Sequence, residues 1–185
     1  MRRAGLLAAC GLLAVSAFAA GAEYRREDWP HWRGLVSQCW DVRQEVLRRD
    51  SLEAPTWDLT TGACRVTAGL WVDPYTAKIA WIKDPAAVDI DHLVPLKWAH
   101  EHGGATWPKK RREAFANYLG FRLAIRATDA AVNRSKGARG PSEWAPPNPY
   151  ARCEYAQAWA TLIVIWDLRP GEADRAALQA MAETC

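Results

Sequence analysis

The chain has 185 residues, 24 of them Lys or Arg against 21 Asp or Glu, half of its side chains are apolar, and eleven are tryptophan. Charges this nearly balanced argue against a polybasic or acidic tail-like protein, and the apolar content argues against disorder. The tryptophans run from Trp29 to Trp166 and are read mainly as core and edge packing.

Residues 1–22 read as a secretory signal peptide. Arg2 and Arg3 form a positive start, Ala4 to Ala22 is apolar or small, and Ala17-Phe18-Ala19 and Ala20-Gly21-Ala22 both offer small-x-small cleavage sites. A membrane anchor and a lipoprotein attached through Cys10 are the lesser alternatives. Only six residues separate Arg3 from Cys10, too few for an apolar core of the usual length. The expectation is a secreted or periplasmic protein made of one domain, residues 23–185, with no membrane partner once the signal is removed. Loss of Arg2 and Arg3 lowers the formal charge from +3 to +1, so whole-chain basicity identifies no partner.

Cys10 leaves with the signal, and Cys39, Cys64, Cys153 and Cys185 remain. None lies in a CxxC pair, which argues against a zinc ribbon. Two disulfides are expected after export, each worth roughly 3 kcal/mol in the loop-entropy account. Three pairings are open. Cys39–Cys64 with Cys153–Cys185 is favoured because each closes a short loop at one end of the chain.

Along the chain, the interleaving of Trp40, Val42, Val46 and Leu47 with charges predicts a helix near 38–49. Residues 50–62 are turn-rich. Strands are expected at 65–71 and 78–82, joined through Asp73-Pro74-Tyr75, and a short strand at 88–91 delivers His92. A helix at 96–102 ends at Gly103-Gly104, and a second, at 108–119, has proline in its first turn. A strand at 122–126 precedes a helix capped by Thr128 or Asp129 that carries Asn133. Residues 141–149 are irregular, and helices follow at 150–166 and 172–185. The class is α+β, with helices around a small antiparallel sheet.

The most informative stretch is Asp89-Ile90-Asp91-His92-Leu93-Val94-Pro95-Leu96. A carboxylate beside an imidazole, with Asn133 downstream, supplies an oxygen ligand for a cation and a nitrogen base for water. From Lys97 to Arg139 ten basic residues, including Arg122, Arg126, Arg134 and Lys136, face only Glu101, Glu113 and Asp129, a local charge of +7. Such a field suits a polyanion. A solvated helix face explains the Lys109–Arg112 run equally well. His100 and His102 do not share a helix face, so they are read as exposed residues near a helix end. His31 has no partner that the sequence names. Asp89 shares the strand face of Asp91 and is read either as support for it or as a structural ion pair.

Together with Gly69–Tyr75, Gly103–Trp107, Phe115-Ala116-Asn117, Val132–Gly137, Gly140-Pro141, Glu143-Trp144 and Pro146-Pro147, this stretch resembles the HNH (ββα-metal, His-Me finger) endonucleases, in particular the secreted subgroup marked by HxxP. The resemblance covers residues 69–147. It implies a ββα-metal core and metal-dependent hydrolysis of phosphodiesters in nucleic acid, DNA in the first instance, with RNA open. His92 would be the general base. Asp91 and Asn133 would hold one divalent cation, Mg²⁺ first and Mn²⁺ or Ca²⁺ as alternatives. Arg134 and Lys136 would clamp flanking phosphates, with Arg122 and Arg126 as further nucleic-acid contacts. The family places an Asn or His just before its second strand to orient the base. Here Arg122 stands there, the nearest candidate is Asn117, and a backbone carbonyl is the other solution. A binding module without turnover and a structural envelope protein are the alternative functions.

Overall fold

The computed structural model describes residues 23–185 except 37, 61, 63, 85 and 86. The expected signal peptide and Cys10 lie outside the described residues. The remainder is an α+β fold with two small antiparallel sheets flanked by helices.

The first helix, α1 (Val42–Asp50), begins where Asp41 accepts the Gln44 N–H at 2.9 Å, and it buries Val42, Val46 and Leu47. Strands β1 (Thr56–Asp58), β2 (Arg65–Val72) and β3 (Ile79–Ile82) form the first sheet in that order. β1 lies in the stretch read as turn-rich, and at three residues it is too short to show alternation.

Asp73 makes the turn after β2 and also ties it to the second sheet. Its Oδ1 accepts the N–H groups of Tyr75 and Thr76 at 3.0 and 2.7 Å. Its Oδ2 accepts from the Thr128 hydroxyl and, at 2.8 Å, from the Asp129 N–H. The turn thereby drives Tyr75 fully into the core.

The second sheet pairs β4 (Val88–His92) with β5 (Ile125–Asp129), so that Asp91 opposes Arg126 and His92 opposes Ile125. Between them lie α2 (Leu96–Glu101) and α3 (Lys109–Ala116). β5 starts three residues later than the pattern predicts, because residues 121–124 turn, with Ala124 N–H bonded to the Phe121 carbonyl at 2.9 Å. Asp129 then caps α4 (Ala130–Lys136) through the N–H groups of Ala131 and Val132. Two paired strands and a following helix thus bring His92, Asp91 and Asn133 to one place.

Helices α5 (Arg152–Trp166) and α6 (Glu172–Ala182) close the core with Tyr155, Trp159, Leu162 and Trp166. The disulfides are Cys39–Cys64 and Cys153–Cys185, the favoured pairing. The expectation for His100 is corrected. It is 3 % exposed and lies edge-on to the rings of Tyr24 and Trp29. Its face of α2 turns toward the N-terminal segment, which the local pattern does not reveal. Among the described residues no helix is long and apolar enough to cross a membrane.

Candidate functional site

A cleft of about 460 Å³ opens between β4, α4 and the N-terminal segment, lined among others by Tyr24, Arg26, Asp91, His92, Asn133 and Arg134. His92 is buried, and its Nε2 lies 2.8 Å from the carbonyl oxygen of Ala116. A carbonyl only accepts, so Nε2 carries the proton and Nδ1 keeps its lone pair. Burial pulls this imidazole down to about 3, opposed by the Ala116 hydrogen bond. The ring is therefore neutral at pH 7. Trp32 stacks on it, with ring centroids 5.5 Å apart and 22° between the planes.

Asp91 is 4 % exposed. Its Oδ2 accepts the Tyr75 hydroxyl at 2.5 Å, and its Oδ1 accepts Lys136 Nζ at 2.8 Å. Burial first, and the Asp91 charge second, raise the Tyr75 phenol well above its usual range, so it keeps the proton it donates. Lys136 also donates to the His92 carbonyl at 2.8 Å and is wholly enclosed. Burial lowers the Lys136 ammonium and the Asp91 carboxylate opposes that shift. Asn133 donates through Nδ2 to Asp89 Oδ2 at 3.1 Å, which leaves its Oδ1 as the amide atom able to act as a ligand.

Asp91 and Asn133 thus offer hard oxygen donors on one cleft, and each Asp91 oxygen retains a lone pair beyond its present bond. Two protein oxygens suit Mg²⁺, which keeps several waters and takes the rest of its shell from a phosphate. Among the described residues no group of three or more His, Cys, Asp or Glu is placed to hold a metal.

The other predicted site residues divide. Arg134 lines the cleft, together with Lys97. Lys136 lies beneath it with no exposed surface, held by Asp91, and so is not placed to clamp a phosphate. Arg126 is paired with Glu154 at 2.8 Å and lies over the Tyr75 ring. Arg122 sits beside Asp50 at 3.3 Å, lining a separate hollow of about 240 Å³. Asn117 does not touch His92. Its amide binds the Arg33 N–H and the carbonyls of Pro30 and Glu113, and its neighbour Ala116 holds the imidazole.

The sequence reading missed the N-terminal segment. Tyr24 and Arg26 line the cleft, Trp32 covers His92, and His31 bonds to Arg26 and to the Trp29 carbonyl at 3.3 and 2.9 Å. The only local signal was aromatic and basic density, Tyr24-Arg25-Arg26 and Trp29 to Arg33.

A protein of Arthroderma benhamiae, described as an uncharacterized secreted protein, is 37% identical to this chain over 162 residues, 88% of this chain and 76% of that one. The chain belongs to the same family. A match of 162 out of 185 residues spans at least the stretch from residue 24 to residue 162 wherever it begins. The family relationship therefore includes the N-terminal segment along with β4, β5 and α4. No family model matches the chain, and no solved structure matches it.

Proposed function

We propose that this protein is a metal-dependent endonuclease of the HNH (ββα-metal) type, acting outside the cell or in the periplasm. The observation that carries the reading is that Asp91 and His92 of β4 and Asn133 of α4, on two paired strands and the helix after them, line one cleft. The relative's description as a secreted protein agrees with the export signal read at residues 1–22.

In this reading His92 takes a proton from water at Nδ1, the nitrogen that its Ala116 bond leaves unprotonated. The water oxygen bonds to phosphorus and the P–O3′ bond breaks, leaving a 5′-phosphate and a 3′-hydroxyl whose proton comes from solvent. Asp91 and Asn133 would hold one divalent cation, Mg²⁺ before Mn²⁺ or Ca²⁺, which would supply positive charge to offset that on the phosphate and the departing oxygen. Tyr75 and Lys136 fix the Asp91 carboxylate, and Asp89 fixes the Asn133 amide. Arg26, Lys97 and Arg134 supply positive charge around the cleft for the nucleic-acid backbone.

One observation favours a second reading. The Asp91 charge is already matched by Lys136 at 2.8 Å, which suits a domain that binds nucleic acid without turnover. Plasmid nicking by the mature, disulfide-bonded protein in Mg²⁺ or Mn²⁺ against EDTA, with an RNA substrate in parallel, separates the two. His92→Ala is expected to lower metal-dependent cleavage by about 10²–10⁴-fold. Salt-sensitive DNA binding with no cleavage in any metal would favour the binding module instead.

A further inference from the structure

The N-terminal segment stacks an aromatic ring on the imidazole. Trp32 lies nearly parallel to the His92 ring, and its own backbone sits at φ +55°, a left-handed conformation that disfavours a non-glycine residue. The surroundings hold it there. Asn117 Oδ1 accepts the Arg33 N–H at 2.9 Å, and Asn117 Nδ2 donates to the Pro30 carbonyl at 2.8 Å. One amide side chain therefore grips the backbone on both sides of Trp32. The same Nδ2 donates to the Glu113 carbonyl at 2.8 Å, which fixes the amide to the end of α3. Arg33 adds an ion pair to Glu113 at 3.0 Å and accepts the Val42 N–H on its carbonyl at 3.0 Å.

The residue before Asn117 supplies the carbonyl that holds His92 Nε2. The end of α3 thus reaches the imidazole twice, at its edge through the Ala116 backbone and on its face through Asn117 and Trp32. A single hydrogen bond at one edge leaves the ring free to rock about that bond. A plane stacked on its face removes that freedom.

We propose that Asn117 and Trp32 are positioning residues for His92, in which Asn117 holds the left-handed turn at Trp32 and the stacked indole keeps the imidazole in one orientation. The proposal rests on His92 being the base of a hydrolytic reaction. Packing alone explains why Trp32 is half-buried. It does not explain why a conformation that disfavours tryptophan is clamped from both sides by one side chain. The segment also lies within the span shared with the fungal relative, so it belongs to the family's domain.

The test compares the mature wild type with Trp32→Ala, Trp32→Phe and Asn117→Ala, by NMR of the His92 ring and by cleavage kinetics. Asn117→Ala leaves the indole in the chain, yet is expected to remove the indole's ring-current shift from the His92 ring protons. Trp32→Ala and Asn117→Ala should each lower kcat by about ten- to a hundred-fold, with KM moving less than about two-fold. Trp32→Phe should restore most of kcat, and Asn117→Ala should add nothing to Trp32→Ala. Where an alanine variant does not fold, Asn117→Asp keeps the acceptor for Arg33, loses both donations, and is read by the same two measurements. An unchanged ring-current shift in the Asn117 variants, or wild-type kcat in Trp32→Ala, overturns the proposal. A wild type that cuts nothing, with the shift lost in Asn117→Ala, removes the hydrolytic reading and leaves the clamp supported.

Discussion

The two sheets are built from strands of similar kind but use burial in opposite ways. On β3, Ile79 and Trp81 are 64 % and 49 % exposed, so the first sheet leaves large apolar groups in water. On β4, three of five residues are ionisable, and two of these, Asp91 and His92, lie in the core. Each has a partner: Asp91 has Tyr75 and Lys136, His92 has Ala116, and Asp89 has Asn133. Polar groups buried without partners cost several kcal/mol, and even well-paired ones rarely improve on apolar packing. Folding by itself therefore gives little reason to build β4 this way. Under the function proposed above, this concentration of partnered polar groups beside a cleft makes the second sheet the working one and the first its scaffold.

The largest expected effect lies at the Lys136–Asp91 pair. Lys136→Met removes the enclosed ammonium and leaves a carboxylate in the core with only the Tyr75 hydroxyl to satisfy it. Breaking one side of such a pair costs about 3–5 kcal/mol, whereas replacing both sides costs much less. Urea denaturation should show that loss for Lys136→Met and a smaller one for Lys136→Met combined with Asp91→Asn. Equal losses in the two proteins would mean that the buried charge is not what makes β4 costly.

The scaffold was far more legible in the sequence than the site. Asp73 and Asp129 act at the turn and cap read for them, because such signals are local and depend on a few neighbours. The first helix, by contrast, starts at Val42 with Asp41 as its cap, four residues after the expected start. The turn at Asp73-Pro74-Tyr75 located β2 and β3 on either side of it. The Asp91-His92 pair was visible because the residues are adjacent and chemically distinctive. What stayed hidden depends on long-range contacts. Asn117 is 84 residues from Arg33 and Lys136 is 45 from Asp91, and neither separation leaves a local pattern. Counting charges could not show that Lys136, Arg126 and Arg122 are taken up by Asp91, Glu154 and Asp50, while Arg26, outside the counted run, faces the cleft. A sequence gives the sum of charges, and the fold decides which are neutralised.

A smaller effect separates the sheets by pH. Above about pH 6.5 the His92 imidazole is neutral in both folded and unfolded chains and contributes no pH dependence. Below that, the unfolded chain takes up a proton that the folded chain refuses until about pH 3, so stability falls as the solution becomes acid. By pH 5 this single group should cost about 2 kcal/mol. Carboxylates titrate in the same range, so the informative quantity is the difference between wild type and His92→Gln. That difference should shift against the wild type by this amount between pH 7.5 and pH 5. Parallel pH profiles for the two proteins would show that the imidazole accepts its proton in the folded state.

The smallest effect belongs to the first sheet and is the control for all the others. Ile79 stands at the start of the edge strand β3, more than half in water, and Thr is a comparable strand former. Ile79→Thr should change stability by no more than about 0.5 kcal/mol. It should also leave cleavage unchanged, since Ile79 does not line the His92 cleft. The outcome that would break the comparison is a loss of nucleic-acid binding or cleavage with stability intact. That would make the exposed face of β3 part of the working surface, and its apolar side chains would then be kept in water for a partner.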